Sequence, residues 1–140
     1  ADKQELLRAL RSRAVERLDS WLRPFQAVMG GCARYLDFAL QQPHEYALLF
    51  GEGWTQRTRP EDGYRPLDLL QEALARQLGG TPDEHLARSV MIWSLLHGAA
   101  MLIIDAGPDS PFASQVRQSC LAGCQELVPA GKLRPRRSHR

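Results

Sequence analysis

A chain of 140 residues is long enough for one compact domain with a hydrophobic core. Its 44% hydrophobic and 24% charged residues are ordinary for a globular protein, and a net charge of +2 is too small to indicate nucleic-acid binding by itself. The three cysteines do not form an even, closely spaced disulfide framework, which favours a reduced, cytoplasmic setting.

The sequence predicts an all-α protein of about six helices, because no long segment alternates apolar and polar residues as a strand does. The first helix is expected to begin after Asp2, which with Glu5 resembles a capping box. Apolar residues then recur at helical spacing up to about Leu22. The helix should end there because Pro24 disfavours helical backbone in the residue before it.

A second helix is predicted from about Pro24 to Gln42. The Gly30-Gly31 pair interrupts its pattern, and each Gly costs about 1 kcal/mol relative to Ala in a helix. We therefore expect a kink there, or a close approach by another group. A short third helix is expected to begin at Pro43, since proline suits the first helical position.

The second half of the chain is marked by clear turn and capping signals. Residues 55–65 read as a polar loop, and a helix from Pro66 should end at Gly79-Gly80. Thr81-Pro82-Asp83-Glu84 carries the residues of a capping box and predicts the next helix. That helix should stop at Gly107-Pro108. The last one should run from Ser110-Pro111 to about Val128, followed by a basic, flexible tail over 129–140.

The fifth predicted helix contains the most apolar stretch of the chain, residues 90–104. This stretch is shorter than the about 18 to 20 residues that a transmembrane helix needs, and Arg88 and Asp105 bracket it. A helix that is apolar on every side must be covered on every side. We therefore expect one face to pack on the domain's own core and the other on a second copy of the chain.

No catalytic motif stands out, and no metal or cofactor is expected. Cys120 and Cys124 lie four residues apart on one helix face. At that spacing they could ligate a metal or meet the same cysteines of a second subunit. The favoured interpretation is that they are small buried residues at a contact between helices. His97 lies one turn after Trp93; it either contacts a ligand or is a core histidine bonded to a neighbouring group.

Several aromatic residues of the middle helices are either core or the wall of an apolar ligand pocket. On the pocket interpretation the ligand-binding residues are Met29, Tyr35, Phe38, Tyr46, Phe50, Trp54, Trp93, His97 and Met101. The expected dimer interface comprises Leu95, Gly98, Leu102, Val116, Cys120, Leu121 and Cys124. Gly98 would allow a neighbouring helix to come close.

Three blocks of the sequence resemble the C-terminal regulatory domain of the tetracycline-repressor (TetR) family of bacterial transcription regulators. They are Ala-Asp-Lys-Gln-Glu-Leu-Leu at 1–7; Tyr-Leu-Asp-Phe-Ala at 35–39 with Pro43 and Tyr-Ala-Leu-Leu-Phe at 46–50; and Ile-Trp-Ser-Leu-Leu-His-Gly at 92–98. The last block is similar to the subgroup named for a Trp-His-Gly signature, here Trp93, His97 and Gly98.

The resemblance implies an all-helical homodimer whose last two long helices form a four-helix bundle with those of the partner. It also implies an effector pocket among the middle helices, with no enzymatic activity. The family's helix-turn-helix lies before the block at 1–7, so operator DNA would be bound only through an N-terminal domain absent from this chain. The function expected is a repressor released from DNA by a small hydrophobic ligand. A ligand-free dimerisation module, or less favourably a small helical enzyme using His97, is the alternative.

Overall fold

The computed structural model describes residues 2–24, 27–50 and 65–130, and within them the prediction of an all-α fold is confirmed. Six α-helices and one 3-10 turn, Pro82–His85, make up these ranges, with no strand among the described residues. The helices are α1 Lys3–Leu22, α2 Val28–Gln41, α3 Pro43–Phe50, α4 Arg65–Leu78, α5 Leu86–Ala106 and α6 Pro111–Leu127. Trp54, the predicted 55–65 loop up to residue 64, and the tail from residue 131 lie outside the described residues.

Helix α1 begins and ends where its capping signals predict. The Asp2 carboxylate accepts a hydrogen bond from the Glu5 backbone N–H at 2.9 Å, which satisfies one of the free donors at the helix start. Only Ala14 and Leu18 of this helix are buried. The helix therefore lies on the surface of the bundle and presents most of its length to solvent.

The start of α2 differs from the prediction, because the helix begins at Val28 and not near Pro24. Ala27 has extended backbone at the N-cap and offers no side-chain cap. The Val28 N–H instead donates to the Gln77 side-chain oxygen of α4 at 3.2 Å. A cap supplied from 49 residues away leaves no local sequence signal, which is why the boundary was misplaced.

The close approach predicted for the Gly30-Gly31 pair is not observed at Gly31 among the described residues. Helix α2 is continuous through both residues. A Cβ atom added at Gly31 would meet no described atom within 4 Å. The pair does not break the helix, because the core contacts of the neighbouring buried residues, Cys32, Tyr35 and Leu36, outweigh the low helix propensity of glycine.

The connection between α4 and α5 follows its turn chemistry closely. Gly79 and Gly80 have φ angles of +88° and +78°, which residues with a side chain rarely adopt, so they end α4 as predicted. The Glu84 carboxylate then accepts a hydrogen bond from the Thr81 N–H at 3.1 Å. The predicted capping box therefore forms, although it opens a 3-10 turn before the α-helix begins at Leu86.

Helices α5 and α6 form the most extensive helix pair of the bundle. Gly107, at φ +91°, ends α5, and the Ser110 hydroxyl accepts from the Ala113 N–H at 3.0 Å to begin α6. Helix α2 packs against both of them as well as against α1, α3 and α4. The core around it includes Leu36, Phe38, Tyr46, Leu74, Ile92, Ala100 and Cys124.

The α5 segment is more apolar than the sequence analysis allowed for. Together with the preceding turn it spans Pro82–Ala106, and its most apolar window reaches a mean hydropathy of 1.6, enough by length and composition to cross a membrane. One such helix is weak grounds for a membrane span, since core helices of globular proteins pass the same test. Here 33% of that window is buried within the chain.

Candidate ligand site and dimer face

Four polar groups of the predicted site are joined in one hydrogen-bonded chain. The Trp93 indole N–H donates to the Tyr35 hydroxyl at 3.1 Å. The Tyr35 and Tyr46 hydroxyls are 2.9 Å apart, and the Tyr46 hydroxyl is 2.6 Å from Nδ1 of His97. Each hydroxyl donates once if the bonds run from Trp93 through Tyr35 and Tyr46 to His97, with Nδ1 as the final acceptor.

Burial fixes the protonation states along this chain. It raises the pKa of Tyr35 to about 12, and it also raises the pKa of Tyr46, so both phenols keep their protons. Burial lowers the pKa of His97, which favours the neutral ring. A neutral ring that accepts at Nδ1 carries its proton on Nε2. Within the described part of the chain that nitrogen has no hydrogen-bond partner.

Aromatic rings pack around the hydrogen-bonded chain with Phe50 at their centre. The Phe50 ring centroid lies 4.9 Å from that of Tyr46, 5.5 Å from His97 and 6.1 Å from Trp93. These separations are those of packed aromatic pairs. The structure therefore brings Tyr35, Tyr46, Phe50, Trp93 and His97 into one group, which we call the aromatic cluster.

The other residues predicted for the ligand site are spread apart. Phe38 is buried one turn after Tyr35 on α2, edge-on to Trp21 at 5.8 Å between ring centroids. Met29 is partly buried against the core. Met101 is 43% exposed on α5. Contact of any of these residues with a ligand stays a prediction.

A cleft of about 870 Å3 lies between α1, α2 and α3. Among the predicted ligand residues that the structure describes, Phe38 alone lines it. Apolar side chains of α1 and α3 line it together with Ala14, Trp21 and Phe38, and five charged residues surround them: Arg13, Glu16, Arg17, Arg34 and Glu45. We call this feature the α1–α3 cleft.

The residues that shape this cleft were not predicted from the sequence. The Arg34 guanidinium lies 3.6 Å from the centroid of the Trp21 ring, and its Nε donates to the Trp21 carbonyl at 3.3 Å. The Trp21 indole N–H in turn donates to the Arg34 carbonyl at 2.8 Å. An Arg and a Trp 13 residues apart on different helices give no local signal of such a contact.

Comparison with known protein families decides the class of this domain. A family described as "Tetracyclin repressor-like, C-terminal domain" matches residues 28–123, more than half of the chain. The chain belongs to this family. Comparisons with curated proteins and with solved structures give no match. The match extends from α2 into α6 and includes the aromatic cluster.

In this TetR-like domain, α5 carries a broad exposed apolar face. Leu95 is 41% and Leu102 49% exposed, and Met91 on the same stripe is also exposed. At Gly98, between them, an added Cβ would meet no described atom within 4 Å. Leu95 also borders Gly123 of α6, but the described residues leave much of this face, defined here by Met91, Leu95, Gly98 and Leu102, exposed to solvent.

The α6 residues predicted for the same interface divide into two groups. Val116 and Leu121 are partly buried at the edge of the core. Cys120 and Cys124 are buried inside the protomer. We therefore remove both cysteines from the dimer interface, because in this fold the side of α6 that carries them packs on α2 and not outward.

The two cysteines of the TetR-like domain meet a third thiol, Cys32 of α2. All three are free. A hydrogen bond with Cys124, together with burial, raises the pKa of Cys120. For Cys124 the bond with Cys120 lowers the pKa, but the bond with Cys32 and burial outweigh it and raise the pKa to about 12. No group of three residues suited to hold a metal occurs within the described ranges. The raised pKa values keep Cys120 and Cys124 protonated, and all three thiols are buried in the core.

Proposed function

We propose that this TetR-like domain is the effector-binding and dimerisation domain of a transcription regulator of the Trp-His-Gly subgroup. The regulator would be a cytoplasmic repressor, and a small hydrophobic ligand would release it from DNA. The family match over residues 28–123 is the observation that carries the proposal. The domain would occupy residues 1–128, with 129–140 as a tail, and operator DNA would be bound by an N-terminal domain.

The exposed face of α5 supports the dimer. Burying apolar surface contributes roughly 25 cal/mol per Å2, so a contiguous stripe of exposed leucine and methionine is a favourable contact. Gly98 lies within this stripe and adds no bulk, which would let a partner helix approach closely. Two copies related by a two-fold axis would each present Leu95 and Leu102 to the same residues of the other.

The aromatic cluster supports the ligand site. It combines apolar rings with few polar groups, which is the usual composition of a small-molecule pocket. The Nε2–H of His97 has no partner among the described residues, so it is the polar group that could orient a ligand. Ligand binding to a repressor releases DNA only if the ligand prefers the conformation that does not span the operator.

A second candidate, a dimerisation module without a ligand, is favoured by one observation. The hydroxyls of Tyr35 and Tyr46 already satisfy each other and their neighbours, and both side chains are buried. Such a network is complete without a ligand. The small helical enzyme of the sequence analysis is not proposed, since the family to which the chain belongs is one of regulatory domains.

Thermal unfolding of the 140-residue chain with a panel of hydrophobic small molecules tests the ligand site. A compound at about 100 times its Kd adds about 2.7 kcal/mol to the free energy of unfolding, which is easily seen as a rise in Tm. We expect Phe50→Leu, in the aromatic cluster, to weaken the rise. Phe112→Leu, which changes an exposed residue of α6, is the matched control and should keep it. If no compound in the panel raises Tm, the ligand-free module is the better description.

A further inference from the structure

We propose that the effector of this domain is an uncharged molecule with a hydrogen-bond acceptor, such as a carbonyl oxygen, on an apolar body, and that its acceptor binds Nε2 of His97. This specificity rests on the proposed function, because it takes the aromatic cluster as the effector site. Three features of the described residues support it: the direction of the hydrogen bonds in the cluster, the charges around it, and the exposed apolar side chains beside His97.

The hydrogen bonds of the aromatic cluster satisfy both buried phenols in one direction only. The Trp93 indole N–H can only donate, so the Tyr35 hydroxyl accepts from it. Tyr35 then donates to Tyr46 at 2.9 Å, and Tyr46 donates to Nδ1 of His97 at 2.6 Å. If Nδ1 donated to Tyr46 instead, one phenol proton would have no acceptor among the described residues. Both phenols are buried, so this loss would be costly.

This direction determines the state of the His97 imidazole. Nδ1 must be unprotonated to accept from Tyr46, so the neutral ring carries its proton on Nε2. A proton on Nδ1 would turn this nitrogen into a donor that faces the Tyr46 hydroxyl, and a phenol would lose its acceptor. Burial of the ring, which lowers the pKa of His97, acts in the same sense. His97 therefore offers a ligand a neutral N–H donor and no positive charge.

The charged side chains of the helices that form the cluster are held elsewhere. On α5 the charged residues nearest to His97 in the sequence are Arg88 and Asp105, each at least about 12 Å away along the helix axis at a rise of about 1.5 Å per residue. Those of α2 and α3 contact other helices: Asp37 with Arg117, Glu45 with Arg17, and Arg34 with Trp21. A carboxylate or ammonium bound at His97 would therefore leave water without an opposite charge to pair with, which is unfavourable.

Exposed apolar side chains flank His97 and fit the apolar body of such a ligand. Successive residues of a helix are about 100° apart, which puts Leu86, Val90 and Met101 on the same side of α5 as His97. All three are exposed, and His97 is partly buried between them. Leu102, on the proposed dimer face, is about 100° further round the helix. A ligand could therefore cover Val90 and Met101 and accept from Nε2 while the dimer face stays available.

Isothermal titration calorimetry at pH 7 with three probes of eight carbons each tests the proposal. The probes are 2-octanone, octanoate and octylamine. We expect 2-octanone to bind the 140-residue chain at least about tenfold more tightly than either ion, because the ions lose hydration without gaining an opposite charge. Equal or tighter binding of an ion that is lost in Phe50→Leu would overturn this specificity and leave the proposed ligand site intact. No binding of any probe would contradict both.

A matched pair of surface variants tests whether Nε2 is the donor. Met101 is exposed one turn after His97, so Met101→Glu places a carboxylate where it can accept the Nε2 proton itself. We expect this variant to weaken binding of 2-octanone at least about fivefold. Phe112→Glu, at an exposed position of α6, is the control and should leave binding unchanged. Equal affinities of the two variants for 2-octanone would overturn the assignment of Nε2.

Tyr46→Phe tests whether the hydrogen-bonded chain sets the preference for an uncharged ligand. Without the Tyr46 hydroxyl, Nδ1 is no longer required as an acceptor, and His97 can take up a proton and attract an anion. We expect the affinity for octanoate relative to 2-octanone to rise at least about threefold. A variant that only loosens the packing of the cluster would weaken both probes alike, and that result would count against the proposal.

Discussion

Tyr46 and His97, 51 residues apart in the chain, are joined by a hydrogen bond of 2.6 Å between the Tyr46 hydroxyl and Nδ1 of the imidazole. Their rings also stack, with centroids 5.7 Å apart. The contact ties α3 to α5 at the centre of the aromatic cluster. It gives His97 a structural partner through Nδ1, and Nε2 has no hydrogen-bond partner among the described residues.

The neutral state of His97 makes stability depend on pH. Burial lowers the pKa of His97 below its ordinary value of about 6.5, so the folded protein binds a proton less readily than the unfolded chain. The stabilising contribution is present above about pH 6.5 and is lost as the pH falls toward the lower pKa of the folded state. We expect the free energy of unfolding, measured with urea, to decrease between about pH 7.5 and 5.

Two asparagine variants isolate this effect. His97→Asn keeps an acceptor but does not titrate, so it should flatten the pH dependence of the free energy of unfolding. His44→Asn, on an exposed position of α3, should keep the wild-type dependence. If the free energy of unfolding depends on pH equally in the wild type and in His97→Asn, the His97 imidazole does not cause the pH dependence.

Tyr46→Phe removes the hydroxyl that links Tyr35 to His97. Two buried or half-buried partners then lose a hydrogen bond, and we expect a loss of about 1–3 kcal/mol in the free energy of unfolding. Tyr35→Phe should lower the free energy of unfolding by a similar amount. The double variant should lower it by at least about 0.5 kcal/mol less than the sum of the two single variants, because the two hydroxyls hydrogen-bond to each other. Strict additivity would mean that they act independently.

The capping box before α5 gives a prediction with a close control. Glu84→Ala removes the carboxylate that accepts from the Thr81 N–H, and we expect it to reduce the free energy of unfolding by about 1 kcal/mol. Asp83→Ala changes an equally exposed acid in the same turn that is not part of the box. Asp83→Ala should reduce the free energy of unfolding by less than Glu84→Ala does. A larger loss for Asp83→Ala would refute the assigned role of Glu84.

Local signals were sufficient to predict most of the fold. Five helix ends follow from residues within one turn of them: the Asp2 and Ser110 caps, the Gly79 and Gly107 stops, and the capping box at Thr81. The start of α2 could not be predicted because its cap comes from Gln77. Helix α2 continues through Gly30-Gly31 because the packing of the residues beside the pair outweighs the low helix propensity of glycine.

The candidate sites were less predictable, for a physical reason. Helical spacing identifies which residues share a face, so the Leu95–Gly98–Leu102 stripe was recognised. It does not reveal which helix covers that face, so Cys120 and Cys124 were assigned outward although they meet Cys32 in the core. The α1–α3 cleft depends on how α1 lies across α2 and α3. The spacing of apolar residues within one helix does not predict how three helices pack together.

Dimerisation of the domain through the apolar face of α5 can be measured as the mass of the protein in solution. Sedimentation equilibrium should give twice the chain mass of 15.7 kDa for the wild type. Leu102→Arg places a charge on the face and should give 15.7 kDa, whereas Leu6→Arg, on an exposed site of α1, should remain dimeric. A wild-type mass of 15.7 kDa at every concentration, or a dimer unaffected by Leu102→Arg, would contradict the account.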